Sequence, residues 1–153
     1  VTISVEVLML LADQQGAWSY RQATATPKPG ETPDETARRL SGIHPDNQAH
    51  VVHSTSWRHQ PDRDQIILTY AVCPDPNPEA PRTPLTSPTI ARGSSPATPS
   101  PDQIEPANVA AHAIQHLAFL RSTDPVVERT LEQWPTIAMA LAFPTKELDT
   151  ARA

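Results

Sequence analysis

Six histidines among 153 residues make metal binding the first chemistry to weigh. His112 and His116 lie four apart in a helical pattern, a spacing that points two imidazoles in one direction, as metal ligands need. His53 or His59 could supply a third ligand from a strand on which both share a face with Thr55 and Trp57, while His50 points the other way. The helix lacks the H-E-x-x-H form in which a glutamate serves as base, because Ala113 holds that position. His112 and His116 also flank an apolar stripe, so the expectation is boundary histidines, with no metal and no cofactor.

A second group joins aromatic faces to cationic donors: Trp18, Tyr20 and Arg21 on one strand, and Trp57, Arg58 and His59 at the end of another. Arg39, near the end of a short helix, is a further cationic candidate. If the strands come together, these residues could line a pocket that stacks a base or holds an anion. The competing reading places the two tryptophans in the core and the arginines in solvent, and tryptophan's usual burial favours it. Ser54 and Ser56 stand near histidines, but no G-x-S-x-G elbow exists. The four glycines are too scattered for a phosphate-binding loop. Cys73, the single cysteine, reads as a small buried hydrophobe and cannot form an internal disulfide.

The elements that must position these residues follow from periodicity. Thr2–Leu11 places Ile3, Val5, Val7, Met9 and Leu11 on one face, and Leu8 and Leu10 make its far end apolar on both sides. That pattern predicts a central strand covered on two faces. Ala17–Thr24 reads as the returning strand. Thr32 at the N-cap, Pro33 at the first helical position and Glu35 three residues past the cap form a capping box. Arg38 and Arg39 suit the C-terminal end of that helix, and Gly42 can close it. Ala49–Arg58 and Gln65–Cys73 read as strands of a hairpin turned by "HQPDRD". Ten of the 18 prolines fall between Pro74 and Pro106, and residues 74–105 are expected to be an extended, mobile connector rather than ladder or helix. Ala107–Arg121 predicts an amphipathic helix with Val109, Ala113, Leu117 and Leu120 on its stripe. Asp124 and Pro125 open another, with Val127, Leu131 and Trp134 on one face and Pro135 as its end; an apolar segment from Ile137 to Phe143 follows. The expected class is α+β, a mixed sheet flanked by helices, in one domain over residues 1–153, with residues 106–143 packing on the sheet.

The stretch "PGETPDETARR", with seven residues between Glu31 and Arg39, resembles the loop and helix start of the Nudix family's signature, G-x5-E-x7-R-E-U-x-E-E-x-G-U. The element order over residues 2–73 is similar to that family's as well. The resemblance implies a Nudix-type fold. It also implies an activity to test, since the family's carboxylates hold magnesium or manganese, which neutralise a diphosphate and help activate water. Carried forward, the pattern breaks. The glycine position falls on Ala25, the glutamate after the arginine on Leu40, and the paired glutamates on Ile43 and His44. Leucine and isoleucine offer no oxygen to a hard cation. The expectation is a Nudix-like fold whose metal box is gone, not a pyrophosphohydrolase.

Three functional classes follow: a module binding a small anion or nucleotide, a divergent hydrolase acting on a nucleoside diphosphate derivative through acids such as Glu31 or Glu35, and an interaction protein pairing as a homodimer through its late helices. The net charge of −5 argues against a broad nucleic-acid footprint. No apolar run reaches a membrane span and no leader pattern stands at the start, so the cytoplasm is the expected location and no membrane partner is expected.

Overall fold

The computed structural model describes residues 1–85 and 106–142. These form five strands and four helices: β1 (Thr2–Ala12), β2 (Trp18–Ala25), α1 (Pro33–Ser41), β3 (Val51–Gln60), β4 (Gln65–Cys73), β5 (Thr83–Pro84), α2 (Pro106–Thr123), α3 (Pro125–Glu132) and α4 (Pro135–Leu141). The strands make one mixed sheet in the order β3-β4-β1-β2-β5, and the class is α+β as the sequence predicts. β1 pairs antiparallel with β2 and parallel with β4, so it has a neighbour on either side.

Its two faces are buried differently. Val5, Val7 and Met9 pack with Tyr70 and Val72 of β4 against Ala37 of α1 and Ile43 just beyond it. Leu8, Leu10 and Ala12 lie on the other face, with Trp18, Tyr20 and Ala71, under α2, α3 and α4. The α2 stripe meets that core through Val109, Ala113, Ile114, Leu117 and Leu120.

α1 begins as the capping residues dictate. Thr32 Oγ1 accepts from the Glu35 N–H at 3.1 Å, and a Glu35 carboxylate oxygen accepts from the Thr32 N–H at 3.1 Å. Gly42 closes the helix at φ 75°, a left-handed conformation that suits glycine. Asp124 caps α3 by accepting from the N–H groups of Val126 and Val127. The turn between β3 and β4 is a short 3-10 segment, Pro61–Arg63, ending in Asp64 at φ 46°.

Four expectations need correction. A bulge at Thr55 breaks the alternation of β3: Ser54 faces Tyr70, yet Ser56 already faces Thr69. One extra residue reverses the faces of everything beyond it. His53 therefore shares its face with Ser56 and Arg58, while Trp57 and His59 turn to the α1 face. Trp134 is not on the α3 stripe; it precedes α4, its indole N–H donates to the Ala49 carbonyl at 2.6 Å, and Pro135 opens that helix as well as following the last one. The Pro74–Leu85 part of the proline-rich stretch is anchored rather than loose, since β5 pairs with Ser19 and Tyr20 and Asp75 is fully buried. It also forms a ladder, which its proline content argued against. Residues 86–105 of that stretch, and Phe143, lie outside the described residues.

Leu117 has no exposed surface, and its side chain joins α2 to the sheet. Leu117→Ala is expected to lower stability by about 2–5 kcal/mol, through lost transfer energy and a residual cavity, as read from urea unfolding. A loss below half a kcal/mol would mean that α2 is not seated on the sheet as described.

Candidate functional site

The acids of the loop and of α1 are committed to structure. Glu31 takes a two-pronged bond from Arg39, with Nε and Nη2 each 2.9 Å from a carboxylate oxygen, and accepts from Thr36 Oγ1 at 2.7 Å and the Lys28 N–H at 3.1 Å. The Arg39 guanidinium, then Thr36 and the Lys28 N–H, hold Glu31 down at a pKa of about 2. The seven-residue gap between Glu31 and Arg39 is thus realised as an ion pair that ties the loop to the last turn of α1. Glu35 is used in the cap, and Asp34 pairs with Arg38 at 3.1 Å. Ile43 is buried against the sheet.

Two other carboxylates, neither singled out by sequence, anchor the sheet. Glu6 on β1 is only 4% exposed and receives four hydrogen bonds. Arg58 of β3 gives two at 3.1 Å, Thr69 of β4 one at 2.9 Å, and Gln22 of β2 one at 2.6 Å. Burial alone would raise its pKa; Arg58, with Thr69 and Gln22, outweighs that and leaves it below the ordinary range. Asp75 is likewise pushed upward by burial and brought lower by Arg21, the Asn77 N–H and Arg82. Arg21 reaches it at 2.7 and 2.8 Å and Arg82 at 2.7 Å. The sequence signals were there to read: a lone acid inside an apolar strand, and an aspartate directly after the proline that follows a strand.

The aromatic and cationic candidates do not converge. Trp18 and Tyr20 are core residues under the late helices, and Arg21, from the opposite face of the same strand, serves Asp75. Arg39 serves Glu31 and Arg58 serves Glu6. His59 lies 3.6 Å from Asp64 beside the hairpin turn. Trp57, expected in the core with Trp18, is instead 69% exposed on the α1 face of the edge strand, and the arginines expected in solvent are ion-paired.

What the fold does assemble lies along β3. A groove of about 610 Å³ runs between Asn47–His53 and α3, with Arg38 reaching in from α1. Arg38, His50, His53, Arg129 and Gln133 give it cationic and donor character, and Asp124, its one carboxylate, is occupied capping α3. These residues come from three separate segments, and no sequence spacing relates them. A smaller cavity of about 420 Å³, between the Asp13–Gly16 turn and α4, has Asp13 as its only charged group, and that carboxylate is tied to the N–H groups of Gln15 and Ala17.

Beside the groove, His53 faces α2. Its ring lies 6.0 Å from that of His116, which lies 6.4 Å from that of His112. Burial, with the like charge of His53 and His112, lowers the pKa of His116. Among the described residues, no group of three or more histidine, cysteine, aspartate and glutamate side chains could hold a metal ion. Cys73 is buried, and burial raises its thiol pKa far above the reactive range.

Comparison with protein-family models, with curated proteins and with solved structures gave no match.

Arg58→Ala would leave Glu6 buried without its cation, at an expected cost of about 3–5 kcal/mol at pH 7. In the native chain the depressed Glu6 contributes stability above the usual carboxylate range and loses it as pH falls through its folded pKa. In the variant burial prevails and the pKa rises, so acid relieves the penalty. The stability gap between the two proteins should therefore narrow from pH 7 to pH 4 in urea titrations; a gap that stays constant would contradict the account of Glu6.

Proposed function

We propose that this chain is a binding protein of Nudix-like architecture that does not hydrolyse its ligand, and that it takes a small anion or nucleotide in the groove between β3 and α3. The observation that carries the reading is the commitment of every acid on the loop and α1. A metal-dependent pyrophosphohydrolase needs carboxylate oxygens free to hold magnesium or manganese. Here Glu31 is saturated by Arg39, Thr36 and the Lys28 N–H, Glu35 is spent in the cap, and Asp34 faces Arg38. Leu40, Ile43 and His44 stand where the resembling signature has its glutamates. The Nudix-like architecture is supported by the strand-strand-helix order and by a mixed sheet with α1 alone on one face.

The groove supports the choice of ligand class. Arg129 is exposed on α3 and has no ion-pair partner among the described residues, so its planar fork is available to a phosphate or carboxylate. Gln133 is held by its bond to the Gln48 carbonyl, which fixes the groove's end. A second reading rests on exposed Phe119, Val126 and Met139 across the three late helices, an apolar scatter that a second copy could cover.

A thermal-shift panel of nucleotides, sugar nucleotides and inorganic pyrophosphate, with and without magnesium or manganese, separates these classes when run beside a pyrophosphatase assay. The expected result is a rise in melting temperature without turnover, lost in Arg129→Ala. Metal-dependent turnover abolished by Glu31→Gln or Glu35→Gln would overturn the proposal in favour of a hydrolase. No shift, together with dimerisation that Phe119→Ser or Val126→Ser removes, would favour the second reading.

A further inference from the structure

Side chains along a strand alternate between its two faces, so a pocket lying on one face of β3 would touch every second residue. The groove beside α3 is lined by three in succession, Val51, Val52 and His53. Val51 belongs to the core beneath the late helices, whereas Val52 packs with the cluster under α1. The walls likewise come from both sides of the sheet, α3 from one and Arg38 of α1 from the other. The groove is therefore a slot along the edge of β3, with the strand's main chain as its floor. We propose that this slot takes an extended acidic peptide, which adds to β3 as a further strand and gives a carboxylate to Arg129. The inference rests on the groove being the ligand site, and it specifies what carries the anion there: a polypeptide.

The main chain of the floor is free to pair. β3 has β4 on one side and no strand among the described residues on the other. Alternate N–H and C=O groups of such an edge face outward, a template for a strand from another chain. Among the described residues, Val51–Ser54 make no main-chain bond outside the ladder with β4. Just ahead of the strand, side chains take the place of a neighbouring strand. Gln133 Nε2 donates to the Gln48 carbonyl at 2.9 Å and the Trp134 indole N–H to the Ala49 carbonyl at 2.6 Å. That bonding closes one end of the slot and stops where β3 begins. The bulge at Thr55 turns the edge at the other end, which confines the added strand to Val51–Ser54, a run of about 13 Å.

Charge selects the occupant. Arg129 lines the slot, is exposed and has no ion pair among the described residues, and its guanidinium suits a carboxylate. Arg38 is shared with Asp34, and the slot's one carboxylate, Asp124, is occupied capping α3. A second copy of the chain fits poorly. β3 holds His53, Arg58 and His59 and no acid, so laid against itself it offers Arg129 nothing to bind. Cationic residues and a bulge are also the devices that keep edge strands from pairing with their own kind. A peptide in which acidic and apolar residues alternate meets the slot on both sides: its acids turn to the α3 side, and its apolar residues to the Val52 side.

The test titrates the full chain calorimetrically with an acetylated, amidated octapeptide of alternating valine and glutamate, beside inorganic pyrophosphate and the nucleotide panel. A glutamine-for-glutamate peptide is the neutral control. Two further peptides carry N-methyl groups on one alternate set of amides or on the other. Methylation removes the donor, and in an added strand only every second amide faces β3. One methylated peptide should therefore lose binding at least about tenfold while the other keeps it, a period-two response that a merely electrostatic contact does not give. The neutral peptide, and Arg129→Ala with the acidic one, should each weaken binding at least about tenfold. Binding that both methylated peptides keep, or both lose, overturns the proposal, as does binding that Arg129→Ala leaves at full strength. Stabilisation by pyrophosphate or a nucleotide with no binding of the peptide overturns this inference alone and leaves the groove as a ligand site. No binding by any of these probes overturns both. A chain that sediments as a dimer and is split by the peptide would make a second copy the natural occupant, and that too overturns the proposal.

Discussion

A strand buried on both faces is the constraint from which the rest of this structure follows. Val5, Val7, Leu8 and Leu10 of β1 have no exposed surface at all. Such a strand needs a helical layer above and another below, and the chain provides them unequally. α1 covers the Val5–Met9 face with nine residues, while three helices cover the Leu8–Ala12 face. A polar side chain inside this strand has no water to turn to, so Glu6 must be satisfied by protein. Donors from β2, β3 and β4 converge on it. An apolar residue of similar size could be as stabilising there, since desolvating a carboxylate and a guanidinium is costly. What the carboxylate adds is registry. A slip of one residue in any of the three partner strands would leave a buried charge without its donors.

Asp75 does the same work at the other end of the sheet. Its N–H donates to the Leu10 carbonyl at 2.8 Å, prolonging the β1–β4 ladder beyond Cys73. Its carboxylate takes Arg21 from β2 and Arg82 from the segment leading into β5, and Arg82 also donates to the Met9 carbonyl and Ser19 Oγ. The segment from Pro74 to Leu85 is ordered by these charge-assisted bonds rather than by propensity, which its proline content disfavours.

That difference marks what could be read in the sequence and what could not. Local signals were legible where the physics is local. Thr32, Pro33 and Glu35 define the start of α1, Asp124 and Pro125 that of α3, and the two-faced apolar pattern of β1 its central place. Non-local satisfaction was not legible. Nothing in the spacing says that Arg58 belongs to Glu6, 52 residues away, or that Arg21 belongs to Asp75, 54 away. The aromatic and cationic cluster failed to assemble for the same reason: the arginines had buried partners on offer, and Trp18 and Tyr20 had a core to fill. The Thr55 bulge defeated period-two reasoning outright, because a one-residue insertion leaves no trace in residue types and yet puts His53 and His59, which strict alternation places on one face, on opposite faces.

The same constraint says where chemistry can take place. With both faces of β1 sealed by packed helices and its single acid saturated, the middle of the sheet offers neither space nor a free lone pair to a ligand. Chemistry is displaced to the margin where the sheet ends. β3 is that margin: an edge strand with β4 on one side and no strand among the described residues on the other, in contact with α1, α2 and α3. Side chains there escape the demands made on Glu6 and Asp75, since solvent satisfies what the protein does not. Arg129 is left without a counter-ion among the described residues, His112 and His116 without hydrogen bonds, and His53 with one nitrogen still open. Uncommitted polar groups gather on this edge because the fold had no structural use for them, and that surplus is what a binding surface requires.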